Sequence, residues 1–235
     1  MKFFIKTMII AVFGGMFGTK VGAQDAHSDV HKLALRYNDV QVAITSLYYQ
    51  LAKDTNNIML KDSLAGLYFV GGAYVQSLLL GNEVLAKQPD NRKMLELTAI
   101  SEQGLGRLKE SLEAYDKLYK LTRSVYHLYQ IGVLQFNLQR YGECGATIST
   151  LLADPASEKE KIVITVSNQQ RQEVPLRAAA LNVRGVMFRE TKNAEMAKQA
   201  FEEALKLHPD FALPKGNLED MKKPLNTGGT GTKPK

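Results

Sequence analysis

Small side chains recur along this chain at a nearly fixed interval, and such a chain builds its core by stacking like units, each against its neighbours. Counting back from Gly185, equivalent small residues stand at Gly132, Ala99 and Ala65, separated by 53, 33 and 34 residues. A second column, Ala197, Cys144, Ser111, Ser77 and Ala43, keeps step with the first. Residues 180–211 show what one copy does. On a helix Gly185 and Phe188 share a face, and so do Ala197, Phe201 and Ala204. Faces that pair small with large residues interlock, the polar run Glu190–Asn193 supplies a tight turn, and Pro209 stops the second helix. Each copy is expected to be an antiparallel helix hairpin.

The succession Gly185, Phe188, Ala197, Phe201, Ala204 and Pro209 resembles the tetratricopeptide repeat, whose pattern is small, aromatic, small, aromatic, small and proline. Leu181 stands where that family usually has tryptophan. Upstream copies depart further: Phe201 corresponds to Ile148, Tyr115 and Leu47 but also to Gly81, and Phe188 to Tyr68 but also to Glu102 and Gln135. Proline recurs near the unit ends at Pro89 and, one residue early, at Pro155. The resemblance implies an all-α tetratricopeptide-repeat superhelix of about five helix-turn-helix units, at 24–57, 58–91, 92–124, 125–158 and 178–211. The first unit carries His31 where a small residue is usual. A solenoid domain then spans 24–223, with a C-terminal capping helix at 212–223 that covers the open apolar end.

The interval of 53 leaves an insertion at 159–177, before the last unit. Ile162-Val163-Ile164-Thr165-Val166 is β-branched throughout, Ser167 to Gln170 is turn-like, and Arg171 to Leu176 returns as a second strand. A β-hairpin is expected, with Pro175 at a strand end or edge. Either it packs one face on neighbouring helices and merely lengthens the connection, or its exposed edge pairs with a partner strand, which would also serve a homodimer.

Outside the solenoid, Lys2 and Lys6, the ten-residue apolar run Met8 to Phe17 and Val21-Gly22-Ala23 read as a signal peptide over 1–23. That run is too short to span a bilayer, which takes roughly 20 apolar residues. The expectation is an exported protein, periplasmic or secreted, whose mature chain starts at Gln24 and is not inserted in the membrane. Residues 224–235, rich in Gly, Thr and Lys, are expected to be disordered. Losing Lys2, Lys6 and Lys20 lowers the formal charge from +6 to +3, and Lys222, Lys223, Lys233 and Lys235 crowd the other end. A nucleic-acid face is therefore not expected.

Catalysis needs clustered reactive groups, and the chain offers few. Cys144, the single cysteine, sits in the small-residue column and reads as a buried structural thiol. His27 and His31 have metal-ligand spacing, with Asp25 beside them but no third ligand evident, so no metal and no cofactor are expected. His127 reads as a surface residue and His208 as a helix-end residue. Gly71-Gly72, Gly104-x-Gly106 and Gly142-x-x-Gly145 lack the lysine and hydroxyl of a phosphate loop and lie at or near helix turns, and hydrolase signatures are absent.

In a tetratricopeptide stack the first helix of each pair lines the concave side. The resemblance selects Phe69, Glu96, Gln103, Tyr126, Tyr129, Phe136, Asn182 and Arg189 as groove residues, a polar and aromatic mixture suited to holding a peptide or partner protein. Tyr126, Tyr129 and Phe136 form the expected hot spot. The same aromatics would equally serve as core between adjacent units. The implied function is a non-enzymatic scaffold or adaptor. The competing readings are an enzyme or small-ligand protein with a pocket near the insertion, and a self-assembling structural protein.

Overall fold

The computed structural model describes residues 26–167 and 170–222. The expected signal segment 1–23 and the expected disordered tail 224–235 lie outside the described residues, as do Asn168 and Gln169 of the expected turn. The chain divides after Leu138 into two compact units.

Among its described residues the N-terminal unit holds seven helices: α1 (Ala26–Arg36), α2 (Val40–Leu51), α3 (Ile58–Val70), α4 (Tyr74–Lys87), α5 (Arg92–Gly104), α6 (Leu108–Thr122) and α7 (Val125–Asn137). Short side chains start three of the first helices. Asn57, Asn91 and Ser124 each accept a backbone N–H of the helix they open, from Leu60, Met94 and Tyr126. A left-handed residue ends the first helix of each hairpin, at Asn38, Gly72 and Gly106, and the same conformation recurs at Gln139 and Lys192. These five positions repeat the spacing of the small residues. Only two are glycine, so three turns hold a side chain in a conformation that L-residues adopt at some cost.

The small residues bring paired helices close enough to bond across the hairpin. Ser77 Oγ donates to the Ala65 carbonyl at 3.0 Å, and Ser111 Oγ to that of Ala99 at 2.8 Å. In the first hairpin His31 Nδ1 lies 3.3 Å from the Ala43 carbonyl, which explains how a large residue is tolerated in a small-residue column. Gly81, the odd member of the large-residue column, is buried. A Cβ there would sit 3.3 Å from Met94 Sδ, so Met94, fully buried on the next helix, occupies the volume that Gly81 leaves. Leu95, Leu112, Tyr115, Leu118, Ile131 and Leu134 close the core between α5, α6 and α7.

The C-terminal unit holds α8 (Tyr141–Ala153), a 3₁₀ turn (Pro155–Glu158), strands β1 (Lys161–Thr165) and β2 (Arg171–Pro175), then α9 (Leu176–Glu190), α10 (Ala194–Leu207) and α11 (Ala212–Lys222). Phe201 on α10 lies flat over Gly185 on α9: a Cβ at 185 would come within 2.4 Å of its ring. Gly142 and Gly145 lie within α8 and not at a turn, and Gly145 faces Met187.

β1 and β2 pair antiparallel, with Ile162 opposite Val174 and Ile164 opposite Gln172. That face turns inward. Val174 is fully buried, and Gln172 Nε2 donates to the Asp210 carbonyl while its Oε1 accepts from the Ala212 N–H. The hairpin therefore fastens the link that enters α11. On the opposite face Lys161 pairs with Glu173 at 3.0 Å, and Val163 is half exposed.

Candidate functional site

The site begins with three first helices, α3, α5 and α7, in the N-terminal unit. Residues one turn or two turns apart share a helical face, which aligns Lys93, Glu96 and Gln103 on α5 with Tyr126, Tyr129 and Phe136 on α7. Counted by the repeat, Tyr126 stands where Lys93 does one unit earlier, and Glu96 where Asp62 does on α3. The two pairs differ in chemistry. Lys93 Nζ donates to Asp62 Oδ1, so that carboxylate meets a cation from the next helix. Glu96 has Tyr126 in the corresponding column, where its charge acts on the phenol, and among the described residues it has no ion pair.

Burial pushes the Glu96 carboxyl above its ordinary value of 4.5, since a charge withdrawn from water is costly. Its field reaches the neighbouring phenols. Tyr126 is pushed up by burial first and by Glu96 second, against a hydrogen bond from Gln130. Tyr115, beneath on α6 and 1% exposed, is pushed up by burial, then by Tyr126 and Glu96. Tyr129 is raised by burial and then by Tyr126. One carboxylate and three phenols thus form a single electrostatic group, with Glu96, Tyr126 and Tyr129 half-buried at its surface.

The remaining sequence candidates are distributed. Phe69 leans on the cluster of Ala65, Val84, Met94 and Leu97, with its ring 6.1 Å from Tyr74, so a large part of it is core. Gln103 and Phe136 are half-buried. Asn182 and Arg189, in the C-terminal unit, are joined through one residue of α11. Asn217 Nδ2 donates to Asn182 Oδ1 at 3.0 Å, and Asn217 Oδ1 accepts from Arg189 at 2.9 Å. Sequence reasoning passed over Asn217, Asp62 and Lys93. The last two were within reach, because they occupy the same repeat columns as Glu96 and Tyr126.

His127 corrects an expectation. It is only 8% exposed, with Nδ1 at 2.8 Å from Thr122 Oγ1, and burial lowers its basicity. Its surface reading failed because the ring turns back onto the end of α6, a contact that pattern alone does not carry. Cys144 is fully buried, and burial pushes its thiol up to about 11, which suppresses the thiolate that nucleophilic chemistry requires. His27 stacks on Tyr49 with ring centroids 4.7 Å apart, so both N-terminal histidines face α2. Among the described residues no group of three or more His, Cys, Asp or Glu is placed to hold a metal ion. No described helix is long and apolar enough to cross a membrane.

The C-terminal unit also contains a cleft of about 360 Å³, lined among others by Gly145, Arg184, Met187, Phe188 and Met196. Arg184 reaches Glu203 at 2.9 Å, while its buried Nε has no hydrogen-bond partner among the described residues. Ser149 brings a hydroxyl to it, and none of the lining residues is a histidine, a cysteine or a carboxylate.

The family profile described as tetratricopeptide repeat matches residues 178–211. No curated protein matches the sequence. Among solved structures, YrrB, a TPR protein with an unusual peptide-binding site, is similar with a TM-score of 0.65 and 15% identity, covering 82% of this chain and 90% of its own. A MamA protein is similar at 0.61 and 11% identity, covering 85% and 95%. MamA from Desulfovibrio magneticus RS-1, residues 41 to the end, gives 0.60 and 11%, covering 78% and 93%. At such identities the likeness is one of fold: successive helix hairpins, here with a two-stranded insertion before the last.

Proposed function

We propose, from the premise that the chain is a tetratricopeptide-repeat protein, that it is a non-enzymatic scaffold of the cell envelope holding a peptide segment or partner protein against the first-helix face of α5 and α7. The observation that carries this reading is the gathering of Glu96, Tyr126 and Tyr129 on one half-buried face, flanked by Gln103 and Phe136. Rigid aromatic rings give contact area at low entropic cost, and the amide of Gln103 is suited to bond a ligand backbone. The peptide-binding site named for YrrB is consistent with such a use.

Crosslinking in intact cells identifies the partner, and Tyr129→Ala with Phe136→Ala then tests the face. Lost binding at an unchanged melting point supports it. A stability loss of about 3 kcal/mol with binding retained would assign both rings to the core instead. Export rests on the charged, apolar and small-residue succession of residues 2–23. Sequencing of the mature N-terminus is expected to begin at Gln24, and an intact Met1 in envelope fractions would refute cleavage.

A second reading, self-association through β1, is favoured by one feature. The register and the Leu176 and Val166 bonds turn the main-chain groups of Lys161, Val163 and Thr165 outward. Light scattering over a concentration series tests it, and a mass that stays monomeric throughout rejects it.

A further inference from the structure

Within one unit the repeat supplies its own control. Asp62 and Glu96 occupy the same place on successive first helices, and both are carboxylates. Asp62 is answered by Lys93 from the following helix. Glu96 is answered by Tyr126, which brings a ring and a hydroxyl but no positive charge. Lys93 itself lies one turn from Glu96 on α5, yet its ammonium is committed to Asp62. Tyr115, packed beneath, is neutral and fully buried. A half-buried carboxylate beside two aromatic rings, with the cation of the preceding repeat replaced by one of those rings, is a place where an incoming cation gains an ion pair and a ring contact together.

We infer that the bound partner presents a lysine or arginine side chain to Glu96 beside the ring of Tyr126. The inference rests on the proposed scaffold function and specifies the chemistry of its ligand. An incoming ammonium or guanidinium stands where the lysine of the preceding repeat would stand, and it neutralises a charge the fold leaves unanswered. The rings exclude water and strengthen the attraction, because a charge pair out of solvent is screened less. A partner segment rich in acidic residues is disfavoured at the same place by like charge.

The test uses the full chain and defined probes, N-acetyl-lysinamide and N-acetyl-argininamide, with N-acetyl-norleucinamide as the neutral control and putrescine as a cation without a peptide backbone. Backbone amide shifts of residues 92–104 and 125–137 are followed by NMR. The expected result is saturable movement with the two cationic amides and at least about tenfold weaker binding to Glu96→Gln, which keeps the shape and removes the charge. Tyr126→Lys, which restores the pairing of the preceding repeat, should abolish probe binding by placing an internal cation on Glu96. Three outcomes overturn the inference: no saturable shift with either cationic amide, norleucinamide binding as well as lysinamide, or Glu96→Gln binding unchanged. Putrescine binding more tightly than both amides overturns it too, by assigning the place to a free polyamine. The scaffold reading stands or falls separately, on whether Tyr129→Ala with Phe136→Ala releases the crosslinked partner.

Discussion

The first-helix faces of the two units differ in one respect: who completes them. On α9, Asn182 and Arg189 occupy the columns that Glu96 and Gln103 occupy on α5. In the C-terminal unit both are met by Asn217, which donates with one side-chain atom and accepts with the other. In the N-terminal unit Glu96 has no ion pair among the described residues, and its charge acts on the phenols of Tyr126 and Tyr115. The same pair of positions thus serves closure in one place and openness in another. The outcome depends on whether the next helix in line brings a group of complementary charge or hydrogen-bonding capacity. A polar face that the chain satisfies itself contributes to stability, while one left incomplete is available to a ligand.

That contrast is open to attack from both sides. The largest effect is expected from Asn217→Ala, which strips partners from Asn182 and Arg189 together. A stability loss of about 2 kcal/mol is expected in chemical denaturation, with binding of lysinamide unchanged. Should Asn217→Ala weaken that probe as much as Glu96→Gln does, the two faces are not distinct and the comparison fails. A smaller loss, about 1 kcal/mol, is expected from Gln172→Ala, together with faster hydrogen exchange at the start of α11, because two bonds to the link before that helix disappear. Unchanged exchange there would mean the hairpin does not hold the capping helix.

The smallest effect has the opposite sign. Burial raises the folded carboxyl of Glu96 above 4.5, so the folded chain holds that proton more tightly than the unfolded one. Its contribution is then most favourable below 4.5 and is lost as pH rises through the folded value. Glu96→Gln should therefore melt slightly higher than the native chain at neutral pH, and the advantage should vanish below 4.5. A lower melting point for the variant at neutral pH would show that Glu96 is already answered within the fold.

The helix hairpins were legible because close helix contact demands small side chains at set places, and Ala65, Ala99, Ser77 and Ser111 obey that demand visibly. The β-hairpin was legible from its β-branched run. Less could be read where one residue's role depends on another far along the chain. His127 took a surface reading since Thr122, its hydrogen-bond partner, belongs to the preceding helix. Asn217 gave no signal at all, as its partners lie 28 and 35 residues away. The groove candidates came from the family pattern, which assigns a column but not the occupant of the facing column. Only coordinates distinguish Glu96 beside Tyr126 from Asn182 beside Asn217.

Gly81 and Met94 carry a consequence for anyone who would shuffle these repeats. The thioether of one hairpin is housed in a vacancy left by the previous one. Grafting a regular repeat over residues 58–91, with a bulky side chain at 81, would drive it into Met94. Trimming Met94 alone would open a void. The two positions have to travel together, so recombination at the seam between these hairpins is penalised even where the backbone would splice cleanly.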